Sequence, residues 1–566
     1  MPDSGKVTET TTTGSDRADQ PANIDPPRPK KGASQEDIVN GFLDAMTATP
    51  AVRTSVAREY LTQDASAGWK PTGLVIYGGV LTPRGNNPVE AKLIDADRID
   101  ERGAWLGPLS EDESTVTFPM ELEGGEWRID RPPPHVIVPQ SWFEQRFQQV
   151  SLYFFDPSST VLVPEPIFVP RGRQFASTLV NGLLQGPAPG LTELSYLPPG
   201  LRSVVSVRVS PSGVADVDLT SDAADAEMPS SDQSELLVSQ LAWTLQQDSA
   251  IVRFRVFIDG QQVRLPGETE FGVDHGHEYA PYVAGSSTQL YGLRDGLMVG
   301  GSPQNLENVT GPFGQAGYAL RTVSPDLRAE QVAAVSTSGS TLWLGPVKDS
   351  GTDPTKLIDT GEDLLRPVWD FSGRLWEVDR RRSGAVVYYY RKGKMHVLDV
   401  QGISNQDVKD FLVSRDGSRL IAVIREDAEH DSIVVSRILT TGDGQVARAL
   451  AADEITDPTN PEGQIRDVAW RSTTSLVVLR PVSRELFQIR TASVDGATGL
   501  DSFSVTIDDD VVGLAGTPVP KEKIYAFAAA VAANDTAAHA ELRDLAGARA
   551  EQIGLDPRVA MLSYVS

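Results

Sequence analysis

At 566 residues and 40% hydrophobic content, the chain is too long for one core and apolar enough to fill several, about three at roughly 150 residues each. Its net charge of −26 disfavours nucleic acid and anionic bilayers, which reward Lys and Arg facing phosphate. It has no cysteine, so disulfides, thiol nucleophiles and thiolate metal sites are excluded. Residues 1–33 are crowded with Thr, Ser, Asp and Pro and read as a disordered tether. They hold no lipobox cysteine and no export signal. No run approaches the ~18 apolar residues of a membrane helix. The nearest, IYAFAAAVAA from Ile524, is too short.

Folding signals begin at Ser34. In SQEDIVNGFLDAM, Ser34 and Asp37 have capping-box spacing, and Ile38, Phe42 and Met46 share one helical face. A second helix is expected after the cap Thr49 and Pro50, with Val52, Val56 and Tyr60 inward. The runs LVIYGGVL, VEAKLIDADRI, STVTFPMEL and GEWRID then read as strands. Two helices followed by a strand-rich sheet predict an α+β domain over 34–131, similar to the NTF2-like cone. Arg131 and Pro132–Pro134 read as a stiff connector at its edge.

From 136 to 273 helix and strand alternate, predicting an α/β sandwich. SLYFFD and VLVPEPIFVP are extended. RQFASTLVNGLLQGP is an amphipathic helix with Phe175, Leu179 and Leu183 inward, stopped at Gly186-Pro187. VADVDL buries Ala215, Val217 and Leu219, and SELLVSQLAWTLQQ buries Leu237, Leu241 and Leu245. IVRFRVFIDG places Val252, Phe254, Val256 and Ile258 inward and ends at the hairpin turn Asp259-Gly260.

From about 285 to 566 short β-rich runs alternate with polar turns. RTVSPDLRAEQVAAVS, VWDFSGRLWEVD, FLVSRDGSRLIAVI and VAWRSTTSLVVL repeat one pattern, with Ser324, Ser372, Ser414 and Ser472 as equivalent turn residues. The spacing predicts an all-β propeller of about six blades, whose first blade the last run, PRVAMLSYVS, completes.

The motifs LVPEPIFVPRGRQFASTLVNGLLQGP, LPPG, GVADVDL and QLAWTLQQ resemble a GerMN domain, and specifically that of the actinobacterial LpqB lipoprotein family. IVNGFLDAM, AREYLT and the β-rich second half are similar to that family's N-terminal domain and propeller. MPDSG is similar to its mature N-terminus after the lipidated cysteine, so the resemblance implies that Met1 lies just downstream of a lipobox. It further implies a non-enzymatic, lipid-anchored protein outside the cytoplasm. Its partner is then the extracytoplasmic part of an MtrB-like sensor kinase in the MtrAB two-component system, linked to cell-wall homeostasis and division. Binding of peptidoglycan or another wall glycan is the alternative, and a hydrolase sited in the propeller funnel a third.

No GxSxG elbow, Walker loop or dinucleotide fingerprint occurs, and no cofactor is expected. In VDHGHEY, Asp274, His275, His277 and Glu278 could hold a metal if His275 and His277 share a strand face; a polar interdomain loop is the simpler reading. Asp508–Asp510 is a weak Ca²⁺ candidate without regular ligand spacing. Tyr388 and Tyr390, beside Arg380, Arg381 and Arg382, are the candidate partner-binding residues, set against the plainer reading that one tyrosine face packs between blades.

Overall fold

The computed structural model describes residues 26–565 apart from 49–54, 173, 204–206, 222–227, 316, 350, 456–462, 484–485, 499–503, 509–510, 529–539 and 546–550. The tether up to residue 25, the Thr49-Pro50 cap, Val52 and Asp509–Asp510 lie outside the described residues. The chain divides into two compact units, residues 1–101 with 108–148 and 170–173, and the remainder.

In the first unit, helix α1 (Gln35–Met46) starts at a reciprocal capping box. The Ser34 hydroxyl accepts from the Asp37 amide, and the Asp37 carboxylate accepts from Ser34 N–H. It buries Ile38, Phe42 and Met46 as its spacing predicts, and also Val39 and Leu43. Strand β1 (Leu74–Gly78) pairs antiparallel with β2 (Ile94–Ile99) and parallel with β3 (Val136–Pro139). Pro132–Pro134 therefore lies inside this unit, not at its edge. The Trp69 indole donates to the Pro133 carbonyl at 2.8 Å, and Trp142 and Phe143, beyond the proline run, are buried.

The second unit opens with a paired β4 (Phe147–Phe155) and β5 (Leu162–Pro170), then α2 (Phe175–Leu184). Strand β6 (Val214–Ser221), α3 (Ser231–Leu245) and β7 (Arg253–Ile258) follow, with β6 and β7 parallel. The faces expected inward do form one core: Leu179, Leu183, Val217, Leu219, Leu237, Leu241, Phe254 and Val256 are all buried in it. Val252 departs from expectation at 60% exposure. Strand β7 starts only at Arg253, so Val252 precedes the alternation that would have turned it inward. Asp259 and Gly260 turn the chain at φ 49° and 76°, both left-handed as a two-residue hairpin requires.

Beyond residue 289 the described residues form six antiparallel sheets. Residues 320–358, 368–398, 408–449, 467–508 and 511–555 each form a meander that starts with its own first strand: β9 (Leu320–Pro325), β10 (Val368–Trp369), β11 (Val408–Val413), β12 (Asp467–Ser472) and β13 (Val511–Ala515). The remaining sheet joins β8 (Leu290–Arg294) and the two strands after it to β14 (Val559–Ser563), from the far end of the chain. Inner strands of these sheets alternate between two neighbouring cores. Trp376 and Val378 pack with Phe411 and Val413 of the following sheet, whereas Leu375 packs with Val335 and Leu342 of the preceding one. A last core brings Phe527 and Leu542 against Leu290 and Leu562, so sheets six and one share a face as consecutive sheets do. No helix among the described residues is long and apolar enough to cross a membrane.

Candidate functional site

Of the buried charge groups in the second unit, two link separate parts of it. The first joins the α/β part to the array of sheets. Glu165 on β5 and Glu193, in the loop after α2, face Arg419 and Arg437 from the third sheet-forming meander, 408–449. Arg437 Nη1 lies 2.6 Å from Glu165 Oε1 and its Nη2 meets Glu193. Arg419 Nη2 donates to Glu165 Oε1 at 3.2 Å and to the Pro164 carbonyl at 2.8 Å. Burial pushes the Glu165 carboxyl up, but Arg437 and Arg419 outweigh it and hold the group below its ordinary range. Glu193, sharing the same Arg437, is raised by burial and by the Glu165 charge. Burial and Arg437 together lower Arg419. Two cations and two carboxyls thus face one another across a desolvated contact, with Glu193 Oε2 and Arg437 Nε left without a hydrogen-bond partner among the described residues; removal of any member strands the others further, so the geometry holds register.

The second group lies along the first strands of successive sheets. Asp467, leading β12, faces Asp410 of β11 and Arg366, two residues before β10. The Asp467 carboxyl accepts from the Leu514 amide at 2.5 Å and from Val468 N–H at 2.9 Å. Gly513 permits this approach, because a β-carbon there would stand 3.0 Å from Asp467 Oδ2. Burial, with the neighbouring Asp410 charge, pushes the Asp467 carboxyl up to about 8 in spite of Arg366. Two facing carboxyls cannot both ionise cheaply, so the pair keeps a proton at neutral pH. Next to it is a pocket lined by Arg366, Arg415, Trp470 and Ser563 over apolar walls that include Leu412 and Leu514.

Arg415 lies in the turn Ser414–Gly417 and is almost wholly buried. Its guanidinium donates to the carbonyls of Tyr282 (3.1 Å) and Val565 (2.9 Å) and to the Thr517 hydroxyl (3.1 Å). Burial lowers it to about 9. The repeated turns differ from the expected serine equivalence. Asp326, Asp370 and Ser414 occupy the matching place, each amide donating back across its turn to Gln331, Arg374 and Arg419 respectively. Ser372 sits two residues later and caps Asp370 instead.

Around His275 the chain is a turn followed by a single 3₁₀ turn at His277–Tyr279, not a strand. The rings of His275 and His277 therefore do not share a strand face. His275 Nε2 meets Glu235 Oε1 of α3 at 2.7 Å, while Asp274, His277 and Glu278 are exposed. Among the described residues no group of three His, Cys, Asp or Glu is placed to hold a metal.

Tyr388 and Tyr390 do share a strand face, opposite Tyr389, which is buried between Trp376 and His396. Tyr390 packs against the Leu375 core as well. Arg380 pairs with Asp363 (Nε–Oδ2 2.8 Å), and Arg381 bridges Asp379 (2.7 Å) and the Tyr388 hydroxyl (2.6 Å). Arg382 is exposed. The arginine run is thus largely neutralised by its own surroundings. Sequence reasoning missed both buried charge groups. The one available signal was charge at strand positions that ought to be apolar, Glu165 inside VLVPEPIFVP above all.

The family model described as "Lipoprotein LpqB, N-terminal domain" matches residues 28–144, "Sporulation and spore germination" matches 151–264, and "Lipoprotein LpqB beta-propeller domain" matches 296–526. A "Lipoprotein LpqB" of Mycobacterium leprae is 30% identical over 442 residues, covering 71% of this chain and 72% of that protein. The protein of the same name from Cutibacterium acnes is 27% identical over 531 residues, covering 89% and 87%. Among solved structures, TolB from Acinetobacter baumannii aligns with a TM-score of 0.34 at 10% identity, covering 57% of this chain and 85% of that one. With its N-terminal, GerMN-type and propeller regions all matched in order, the chain belongs to the lipoprotein LpqB family.

Proposed function

We propose that the protein is a lipid-anchored docking scaffold on the outer side of the cell membrane. Its partner in this reading is the extracytoplasmic part of an MtrB-like sensor kinase, through which it adjusts two-component signalling tied to cell-wall homeostasis and division. The observation that carries the reading is the Glu165–Arg437–Glu193–Arg419 cluster. A desolvated ionic joint fixes the GerMN region against the propeller region and makes one broad, preformed surface, which lowers the ordering cost of docking. In the same reading the six sheets are six blades of a ring closed by β14, and the N-terminal unit is an NTF2-like cone. Of the expected contact residues, exposed Arg382 and half-buried Tyr388 remain available to a partner.

The test is a calorimetric titration of the purified chain with the sensor ectodomain. Saturable binding, weakened by Arg382→Glu, is expected; no heat at micromolar concentrations of both proteins sinks the reading. One observation favours a second reading, hydrolysis at the sheet axis: the Asp410–Asp467 pair shares a proton, as an acid–base couple must. Release of soluble fragments from purified cell wall by the wild type, abolished in Asp467→Asn, would replace docking by that activity. Retention on insoluble wall without release would point to glycan binding instead.

A further inference from the structure

The pocket beside β11 and β12 has a lopsided chemistry. Arg366, Arg415 and Trp470, all donor-bearing side chains, line it, and no carboxylate among the described residues does. Trp470 is 95% buried by its 5% exposure, yet its indole N–H has no acceptor among the described residues. Buried donors in native proteins nearly always have partners, so an orphan bordering a cavity marks a missing acceptor. Arg415 is buried too, and the groups it meets are two carbonyls and a hydroxyl, with no carboxylate among them. Arg366 makes no hydrogen bond among the described residues, and the Asp467 it faces keeps its proton at neutral pH. The walls between these donors, Leu412 and Leu514 among them, are apolar, which strengthens any ion pair formed inside. The enclosed space is small, about that of one or two waters, and partly open to solvent, so an acid head enters while its stem stays at the mouth.

We propose that this pocket binds a carboxylate, which accepts from Arg366 and the Trp470 indole and offsets the buried charge of Arg415. The planar anion suits a guanidinium, which can grip both oxygens. A free organic acid and the end of a peptide offer the same group.

The full-length chain is titrated calorimetrically, at fixed ionic strength, with sodium acetate, N-acetylalanine, N-acetylalaninamide and inorganic phosphate. Acetate and N-acetylalanine are expected to saturate one site and the amide to give nothing. Arg366→Gln and Trp470→Phe should each weaken the acids by about tenfold or more with an unchanged melting temperature. N-acetylalanine binding much more tightly than acetate assigns a peptide end; equal affinities assign a small free acid. No saturation, a preference for phosphate, or binding untouched by Arg366→Gln overturns the proposal. Should Trp470→Phe fail to fold, Arg366→Gln decides it. Sensor-ectodomain binding is measured separately and can fail without bearing on this site.

Discussion

Asp467 illustrates how position overrides residue type. An aspartate leading a strand reads as a solvated turn neighbour, yet packing of successive sheets sets it against Asp410, Arg366 and the Leu514 amide. Its folded pKa, raised from the ordinary 3.8 to about 8, means that the native state holds a proton which the unfolded chain has released. Native protons exceed unfolded ones between these two values, so stability falls as pH rises through that window. Asp467→Asn removes this liability. The variant should match the wild type near pH 4 and exceed it at pH 8 by at least about 1 kcal/mol, a few degrees in melting temperature. Thermal unfolding at the two pH values checks it, and an equal difference at both would show that Asp467 is ionised in the folded protein.

At the scale of elements, the decisive contact is β8 with β14. Tyr291 pairs with Ser563, Gly292 with Leu562 and Leu293 with Met561, across nearly 270 residues of intervening chain. Gly292 makes the pairing possible, because a β-carbon there would lie 1.9 Å from the Met561 carbonyl. Gly292→Val should force the strands apart and expose the face shared by Leu290, Phe527 and Leu562. Loss of about 2–4 kcal/mol is expected, with faster proteolysis near the C-terminus. Gly554→Ala, where an added β-carbon meets nothing within 4 Å, serves as the neutral control. Limited proteolysis with mass spectrometry reads the result; equal cleavage of both variants would mean that the C-terminal strand does not fasten the array.

At the scale of the molecule, stability depends on whether the GerMN and propeller regions unfold together. Arg437→Met leaves Glu165 and Glu193 buried without their shared cation, at a cost of about 3–5 kcal/mol to the joint. Calorimetry should then resolve two transitions where the wild type shows one for this unit. Adding Glu193→Gln to Arg437→Met should recover part of the loss, since it removes one of the stranded charges. A single unchanged transition in Arg437→Met would show that the cluster does not couple the two regions.

The amphipathic faces of α1, α2, α3, β6 and β7 were legible in sequence because their apolar spacing is local: a side chain three or four residues on, or two on in a strand, reaches the same core. The repeated strand–turn–strand pattern was legible for the same reason. The candidate sites were not. His275 found Glu235 rather than His277, and Arg380 and Arg381 found Asp363 and Asp379 within their own surroundings. The sequence by itself determined which faces must be buried, and hence the succession of a helix-and-strand unit, an alternating helix–strand region and a β-rich second half. Only the tertiary structure decided which charges meet, Glu165 with Arg437 and Asp410 with Asp467, because residues far apart in the chain become neighbours through packing that no local spacing encodes.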